Sequence, residues 1–278
     1  MTPNDCIFYF LGVDPAPAES SRSDDGAVII IRAEPKSVPD LLGDIDGELS
    51  NNPAHWWRDV VYARRFKKLR SRDWAGHIHH LHRRFGFVRI CLDPGGGGIF
   101  IKRDLASNRQ LLSGVEQDVT PIVPIDEKGL AIAHFILSMF KRGDVAVESL
   151  WPGLQGDDCL VDACYAAAKD ALDTGEFALT PPFYEWPKES REGWPEEKVW
   201  ALKNLHALQE QMKNVIVATK DDGSFAFTRR NARQFSARGK KDLVSAWMYA
   251  NVAFLSWLQD QDGLFSVGTS DGGMCSRL

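Results

Sequence analysis

Cysteine pairs, an excess of basic charge, long apolar runs and a phosphate loop are all missing from this chain of 278 residues. Its five cysteines (Cys6, Cys91, Cys159, Cys164, Cys275) are scattered and odd in number, and none forms a C-x-x-C pair. That usage argues against a disulfide framework and for free thiols in a reducing compartment. No apolar run approaches the roughly 20 residues that span a bilayer, and the N-terminus lacks the features of a secretory signal, so no membrane partner is expected. The net charge of −5 offers no general attraction to polyanions. No internal repeat or low-complexity segment is visible, which sets aside solenoids. What is there is 44% hydrophobic residues, ample for one core, or one domain carrying a large insertion.

Ile7–Val13 is a continuous apolar run of the kind that forms a central strand, and it ends on an acid, Asp14. A loop rich in Pro, Ser, Asp and Gly leads to a second strand at Ala27–Arg32. Ala33–Trp56 reads as irregular, Asp59–Phe66 as a third strand, and Asp73–Phe85 as a helix with Asp73 as N-cap and Gly86 as its stop. Phe87–Leu92 is a fourth strand, again ending on an acid, Asp93. Gly95–Gly98 and a helix to about Leu112 follow, then a short fifth strand at Pro121–Ile125. Gly129–Lys169 reads as mostly helical, Thr180–Pro195 as an extended excursion and Glu196–Met212 as a helix. Val215–Lys220 and Ser224–Thr228 flank Asp221-Asp222-Gly223 and predict a hairpin. Gly239–Gln259 is the last long helix, with a tail over 263–278. The order predicts an α/β domain whose first three strands form an antiparallel meander and whose fourth joins parallel to the first.

If strands one and four are parallel neighbours, Asp14 and Asp93 end at one sheet edge, on the order of 5 Å apart. Like charges that close repel unless a cation lies between them, and all-oxygen ligation suits Mg²⁺ or Mn²⁺. Asp242 is the third candidate. It opens the last helix in "KKDLVSAWMYANVAF", in line with Ala246, Tyr249 and Ala253 on the face that would pack on the sheet. Taken by itself it is also a helix-dipole acid. "GDDCLVDACYAA" offers rivals, Asp158 and Asp162; Asp242 is preferred because a hairpin and a basic segment precede it.

"FLGVDPA…SDDGAVIII", "VRICLDPGGGGIFIKRDL" and "KKDLVSAWMYANVAF" together resemble the nuclease domain of tailed-phage large terminase subunits. The motifs cover Cys6–Ile125 and Asn214–Gln259; the stretch from about 129 to 208 is read as an insertion. The resemblance implies one RNase H-like domain over 1–278, a central mixed β-sheet flanked by helices with a helical insertion and a β-hairpin before the last helix. It implies a divalent-metal-dependent endonuclease that cuts double-stranded phage DNA during genome packaging, in the cytoplasm of the infected host. Asp14, Asp93 and Asp242 match its metal-binding acids, Asp14 touching both of two ions in a two-metal hydrolysis. The family often has two acids at the third motif, where this chain has Lys241 before Asp242. An ATPase motor domain, a small terminase subunit and a portal are the partners the family context implies. With no G-x-x-x-x-G-K-[ST] here, the chain is expected to be a separated nuclease domain that neither hydrolyses ATP nor translocates DNA.

Basic residues cluster twice. Six of the nine residues in Arg64–Arg72 are Lys or Arg, and Arg229–Lys241 has six more and no acid. Arg64, Arg65, Lys67, Lys68, Arg229, Arg230, Arg233, Lys240 and Lys241 are the candidates for gripping DNA backbone, a contact that carries little sequence information. Each run also reads as a solvated face. Asp24 and Asp25 are read as turn formers that double as candidate outer ligands. Gly95–Gly98 is a tight turn or a phosphate cradle. In "GHIHHLHRR" no acid or cysteine accompanies the histidines at zinc spacing, so they read as partly exposed helix residues. Trp247, Tyr249, Phe254 and Trp257 read as core. Competing readings are a junction resolvase or another RNase H-like nuclease, a non-catalytic DNA-binding packaging module, and an actin-like ATPase. The last needs two similar halves, which the sequence lacks.

Overall fold

The computed structural model describes residues 7–16, 25–36, 52–67, 69–93, 97–112, 114–123, 134–137, 168–169, 171–175, 177–179, 181, 183–213, 215–219, 225–229 and 242–265. Six strands form one sheet in the order β7-β4-β1-β2-β3-β8. They are β1 (Phe8–Asp14), β2 (Gly26–Pro35), β3 (Trp56–Phe66), β4 (Arg89–Leu92), β7 (His134–Leu137) and β8 (Phe177–Ala178). β1, β2 and β3 form the antiparallel meander, and β4 joins β1 in parallel, as expected. β7 extends the sheet parallel to β4. The order 3-2-1-4 followed by a fifth strand, with only strand two reversed among those five, is the RNase H-like topology.

Both faces of the sheet are covered, which is why β1 is apolar throughout instead of alternating. On one face Leu11, Val13, Val28 and Ile30 pack with Trp74, Ile78 and Leu81 of helix α1 (Ser71–Phe85). Helix α2 (Gly98–Leu105) adds Ile101 and Leu105 to that layer. On the other face Phe10, Ala27, Ile29 and Cys91 pack with helix α3 (Glu196–Met212) and helix α4 (Asp242–Phe265). α4 carries Phe254 and Trp257 onto Phe10, Phe8 and Trp56, with ring centroids 4.7 to 6.2 Å apart. Burying each such ring is worth about 1.5–3 kcal/mol, with up to about 1.5 more from each edge-on pair. Two buried arginines tie the same faces: Arg58 donates to Asn251 Oδ1 at 3.3 Å and Arg89 to Ser256 Oγ at 2.9 Å. Among the described residues no helix is long and apolar enough to cross a membrane.

Several expectations need correction. α1 starts at Ser71, not Asp73; Arg70 precedes it, and Asp73 ion-pairs with that arginine at 2.9 Å instead of capping. Gly86 ends α1 as expected, at φ 65°. α2 stops at Leu105, and the expected continuation is a hairpin, β5 (Arg109–Leu112) and β6 (Val115–Asp118), turning at Gly114 with φ 82°. Residues 121–123 are irregular, because Pro121 has no amide to give a ladder. The sheet's fifth strand is instead His134–Leu137, inside the stretch read as mostly helical and as insertion. β3 begins at Trp56, three residues before the expected start. The predicted hairpin is β9 (Val215–Thr219) with β10 (Phe225–Arg229), and α4 runs on to Phe265, into the segment read as tail. Of the cysteines only Cys91 lies among the described residues, in the core.

Candidate active site

β1 and β4 stop together. Gly12 pairs with Cys91 and Val13 with Leu92, and the Asp93 amide donates to the Val13 carbonyl at 3.0 Å. Asp14 and Asp93 therefore leave the same sheet edge on neighbouring strands, one strand spacing of about 4.8 Å apart. Side chains alternate along a strand, and Phe10 and Cys91 belong to the α4-side core. Asp14 and Asp93, at even steps from them, point to that same face.

α4 crosses this face antiparallel to β1. Ala246 and Ala250 lie on Gly12, Phe254 on Phe10 and Trp257 on Phe8. Gly12 is required: a Cβ there would fall 1.9 Å from the Ala246 carbonyl oxygen and 2.3 Å from the Ala250 nitrogen. One turn back from Ala246, about 6 Å along the helix, is Asp242; two residues on from Gly12, about 6.6 Å along the strand, is Asp14. The two progressions bring Asp242, which is 3% exposed, level with Asp14.

Gln211, the penultimate residue of α3, fixes the start of α4. Its Oε1 accepts from the backbone N–H groups of Leu243 at 3.0 Å and Val244 at 3.3 Å. It serves the orphan first-turn donors as an N-cap side chain would, but from another helix. Further along α4, Tyr249 reaches back toward the strand ends. Burial raises its phenol pKa, the charges of Asp93 and Asp14 raise it further, and its hydroxyl donates to the Asp93 carboxylate. It thus stays protonated and senses both acids.

The glycine run has two separable duties. Gly97 sits at φ 99°, in the left-handed region, before α2. A Cβ at Gly98 would meet the Asp93 carbonyl oxygen at 1.9 Å, so this glycine lets the helix start against the acid's own backbone. Residues 94–96 lie outside the described residues.

Cross-strand register aligns Asp14 with Ala27 of β2 and Ala27 with Arg65 of β3. The basic end of β3 thus shares the acids' sheet edge. Arg65 donates to Asn204 Oδ1 of α3 at 3.4 Å, Arg64 packs over the rings of Phe66 and Trp200, and Lys67 is exposed. The side chain of Arg229 lies outside the described residues, as do Lys68, Arg230, Arg233, Lys240, Lys241, Asp24, Asp158 and Asp162. Asp25 immediately precedes β2, two residues before the partner of Asp14.

Of the α1 histidines, His77 and His82 are part-buried and His80 is exposed, as expected, whereas His79 is buried. Burial holds His77 at about 3, with Arg64 and His80 adding to the effect, and His79 at about 4; His82 is lowered for the same reason. His79 Nε2 meets the Leu105 carbonyl at 3.4 Å and His82 Nδ1 accepts from the Phe87 amide at 3.1 Å. They are structural groups of the α1–α2 layer. Trp247, Phe254 and Trp257 are core, as expected; Tyr249 is core with a hydroxyl aimed at the acids.

Among the described residues, no three His, Cys, Asp or Glu side chains are gathered closely enough to hold a metal ion as they stand. The backbone brings Asp14, Asp93 and Asp242 to one edge and one face, and the donor set is all oxygen, as Mg²⁺ and Mn²⁺ prefer. The residues fit such an ion in type and placement, and their side chains must close on it. Gly12, Gln211 and the hydroxyl role of Tyr249, which was read only as core, escaped the sequence reading. Of these only Gly12 left a trace, a glycine inside an otherwise bulky strand.

No family model matches the chain, and no curated protein matches it. Among solved structures the chain is similar to the large terminase nuclease from thermophilic phage G20c with bound magnesium. The identity is 10%, covering 88% of this chain and 81% of that one, at a TM-score of 0.45. It is also similar to the nuclease domain of the large terminase subunit of bacterial virus Sf6, with 13% identity over 87% and 86% of the two chains and a TM-score of 0.44. A mutant of the Sf6 domain with manganese and beta-thujaplicinol is similar at 12% identity over 87% and 86%, with a TM-score of 0.44.

Proposed function

We propose that this chain is a divalent-metal-dependent endonuclease that cuts double-stranded DNA during phage genome packaging. The observation that carries the chemistry is the convergence of three acids. Asp14 and Asp93 end parallel neighbouring strands on one face, and Asp242 opens the helix that crosses that face at the same level. The packaging context comes from the three sequence motifs and their resemblance to large terminase nucleases. With it come the infected host's cytoplasm and the motor, small subunit and portal as partners.

Asp14, Asp93 and Asp242 would hold the Mg²⁺ or Mn²⁺, and the family resemblance implies two ions with Asp14 touching both. Such ions, when bound, supply an activated water and neutralise charge on the scissile phosphate. The protein's own part is positioning. Gly12 lets α4 lie directly on β1, Gln211 fixes the first turn of α4, and Tyr249 orients the Asp93 carboxylate through its hydrogen bond. Lys67, exposed at the acids' sheet edge, and the basic residues of 229–241 are the proposed contacts to the DNA backbone.

Plasmid nicking with Mg²⁺ or Mn²⁺ tests this reading. Wild-type protein converts supercoiled DNA to nicked and linear forms, and Asp14→Ala, Asp93→Ala and Asp242→Ala each abolish cutting. Activity that survives Asp14→Ala or Asp93→Ala sinks the assignment, and a strong preference for four-way junctions over linear duplex moves it to a resolvase.

A further inference from the structure

On the sheet face opposite the three acids, a cavity of about 360 Å³ lies between β3 and α1, where Glu197 of the first turn of α3 reaches its wall. Tyr62, Arg64, Asp73, His77, His80 and Glu197 line it. Arg64 alternates with Arg65, so this cavity shares the acids' sheet edge but not their face.

The charge in its wall is uneven. Asp73 is ion-paired with Arg70 at 2.9 Å and Glu197 with Arg84 at 2.8 Å. Among the described residues no carboxylate pairs with Arg64. Its guanidinium carbon lies 4.7 Å from the ring centre of Phe66 and 4.9 Å from that of Trp200, so its N–H edge is the part left for a polar partner. Arg64 hydrogen-bonds the Tyr62 hydroxyl, which leaves the tyrosine O–H to donate elsewhere. Arg64 Nε is buried without a hydrogen-bond partner, and so is His77 Nε2. Buried polar atoms are seldom left unpaired, and two beside one cavity point to a missing acceptor. His77, held neutral, can present an N–H.

We propose that this cavity binds a phosphate group carried on a nucleotide-sized body, with Arg64, Tyr62 and His77 donating to the phosphate. The phosphate answers the donors. The rest of the volume, at the lower end of the range for ligand pockets, is too large for a bare anion. The carboxylates of Asp73 and Glu197 are acceptors for base amino groups or sugar hydroxyls. The proposal does not depend on the three acids or on any metal.

The test uses the whole protein in chelator-containing buffer. Inorganic phosphate, thymidine 5′-monophosphate and a short single-stranded oligodeoxynucleotide are titrated in while the imidazole signals of His77 and His80 are followed by NMR. The mononucleotide is expected to shift His77 and saturate near 1 mM or below, more tightly than inorganic phosphate. Arg64→Gln weakens it at least about tenfold, and Asp14→Asn leaves it unchanged. A stronger response to the oligonucleotide identifies a strand phosphate as the source; a stronger response to the mononucleotide identifies a free nucleotide. If no probe moves His77 in the wild-type protein, the proposal is overturned whether or not the variants fold. Equal binding by folded Arg64→Gln overturns it too, as does loss of binding in Asp14→Asn.

Discussion

The Tyr249 hydroxyl donates a hydrogen bond to the Asp93 carboxylate, across the contact between α4 and β4. It is a buried donor on an acid that the proposed chemistry needs, and it also lies within the field of Asp14. Tyr249→Phe keeps the ring's packing and deletes the donor. Cleavage is expected to fall about 10–100-fold, the usual effect of losing a group that orients a metal ligand. The Mn²⁺ concentration for half-maximal activity should rise with the melting temperature nearly unchanged. Unaltered metal dependence would remove Tyr249 from the site.

Gly12→Ala tests how the fold sets the site. Its new methyl would overlap backbone atoms of Ala246 and Ala250, which no side-chain rotation relieves. Overpacking of this kind costs about 1–3 kcal/mol or more. The variant is expected to melt lower and to lose cleavage out of proportion to its folded fraction, because Asp242 is displaced along with α4. A variant that melts like wild type contradicts the contact.

Gln211→Ala removes the acceptor from two first-turn amides of α4. Loss of a capping side chain costs about 0.5–2 kcal/mol. Denaturant unfolding should show a loss in that range, and amide exchange at Leu243 and Val244 should quicken. Gln211→Glu keeps the acceptor and should restore protection at both amides.

Acid should weaken the α1 layer before it reaches the carboxylates. His77 and His79 stand at about 3 and about 4 in the fold, against an ordinary 6.5, and the largest cause is burial. Between those values the unfolded chain binds more protons than the native one. Stability is therefore whole above about pH 6.5 and falls as pH drops toward the folded values. The slope for buried His79 approaches 1.4 kcal/mol per pH unit, roughly one pKa unit's worth of free energy. Urea midpoints at about pH 7 and pH 5 should separate for wild type and separate less in His79→Gln, where His77 and His82 still contribute. An equal drop in both proteins contradicts the assignment.

What was legible in the sequence was local. β1 and β4 announce themselves as apolar runs ending on acids, and Gly86 marks a helix stop because a left-handed residue was needed there. Less visible was anything whose reason lies far along the chain. His134–Leu137 is four residues in an apolar neighbourhood, too short to show a period, and becomes a strand because β4 offers it an edge. The β5–β6 hairpin hides because "RQLL" and "VEQD" carry no alternation, and only Gly114 betrays the turn. Gln211 sits 32 residues before its partner Leu243 and looks like any polar helix residue. Tyr249 was readable as core, but its hydroxyl acquires a role only once β4 is beside it.

The backbone contact at Gly12 has a further consequence for how such a chain can vary. From that point two fixed intervals run to the site, two strand residues to Asp14 and one helical turn back to Asp242. Adding or deleting one residue in the first interval sends Asp14 to the opposite face. The same change in the second swings Asp242 about 100° around its axis. Substitutions can accumulate along both intervals, but their lengths cannot drift. A chain that keeps these three acids together will therefore keep those two spacings long after it has lost the residues between them.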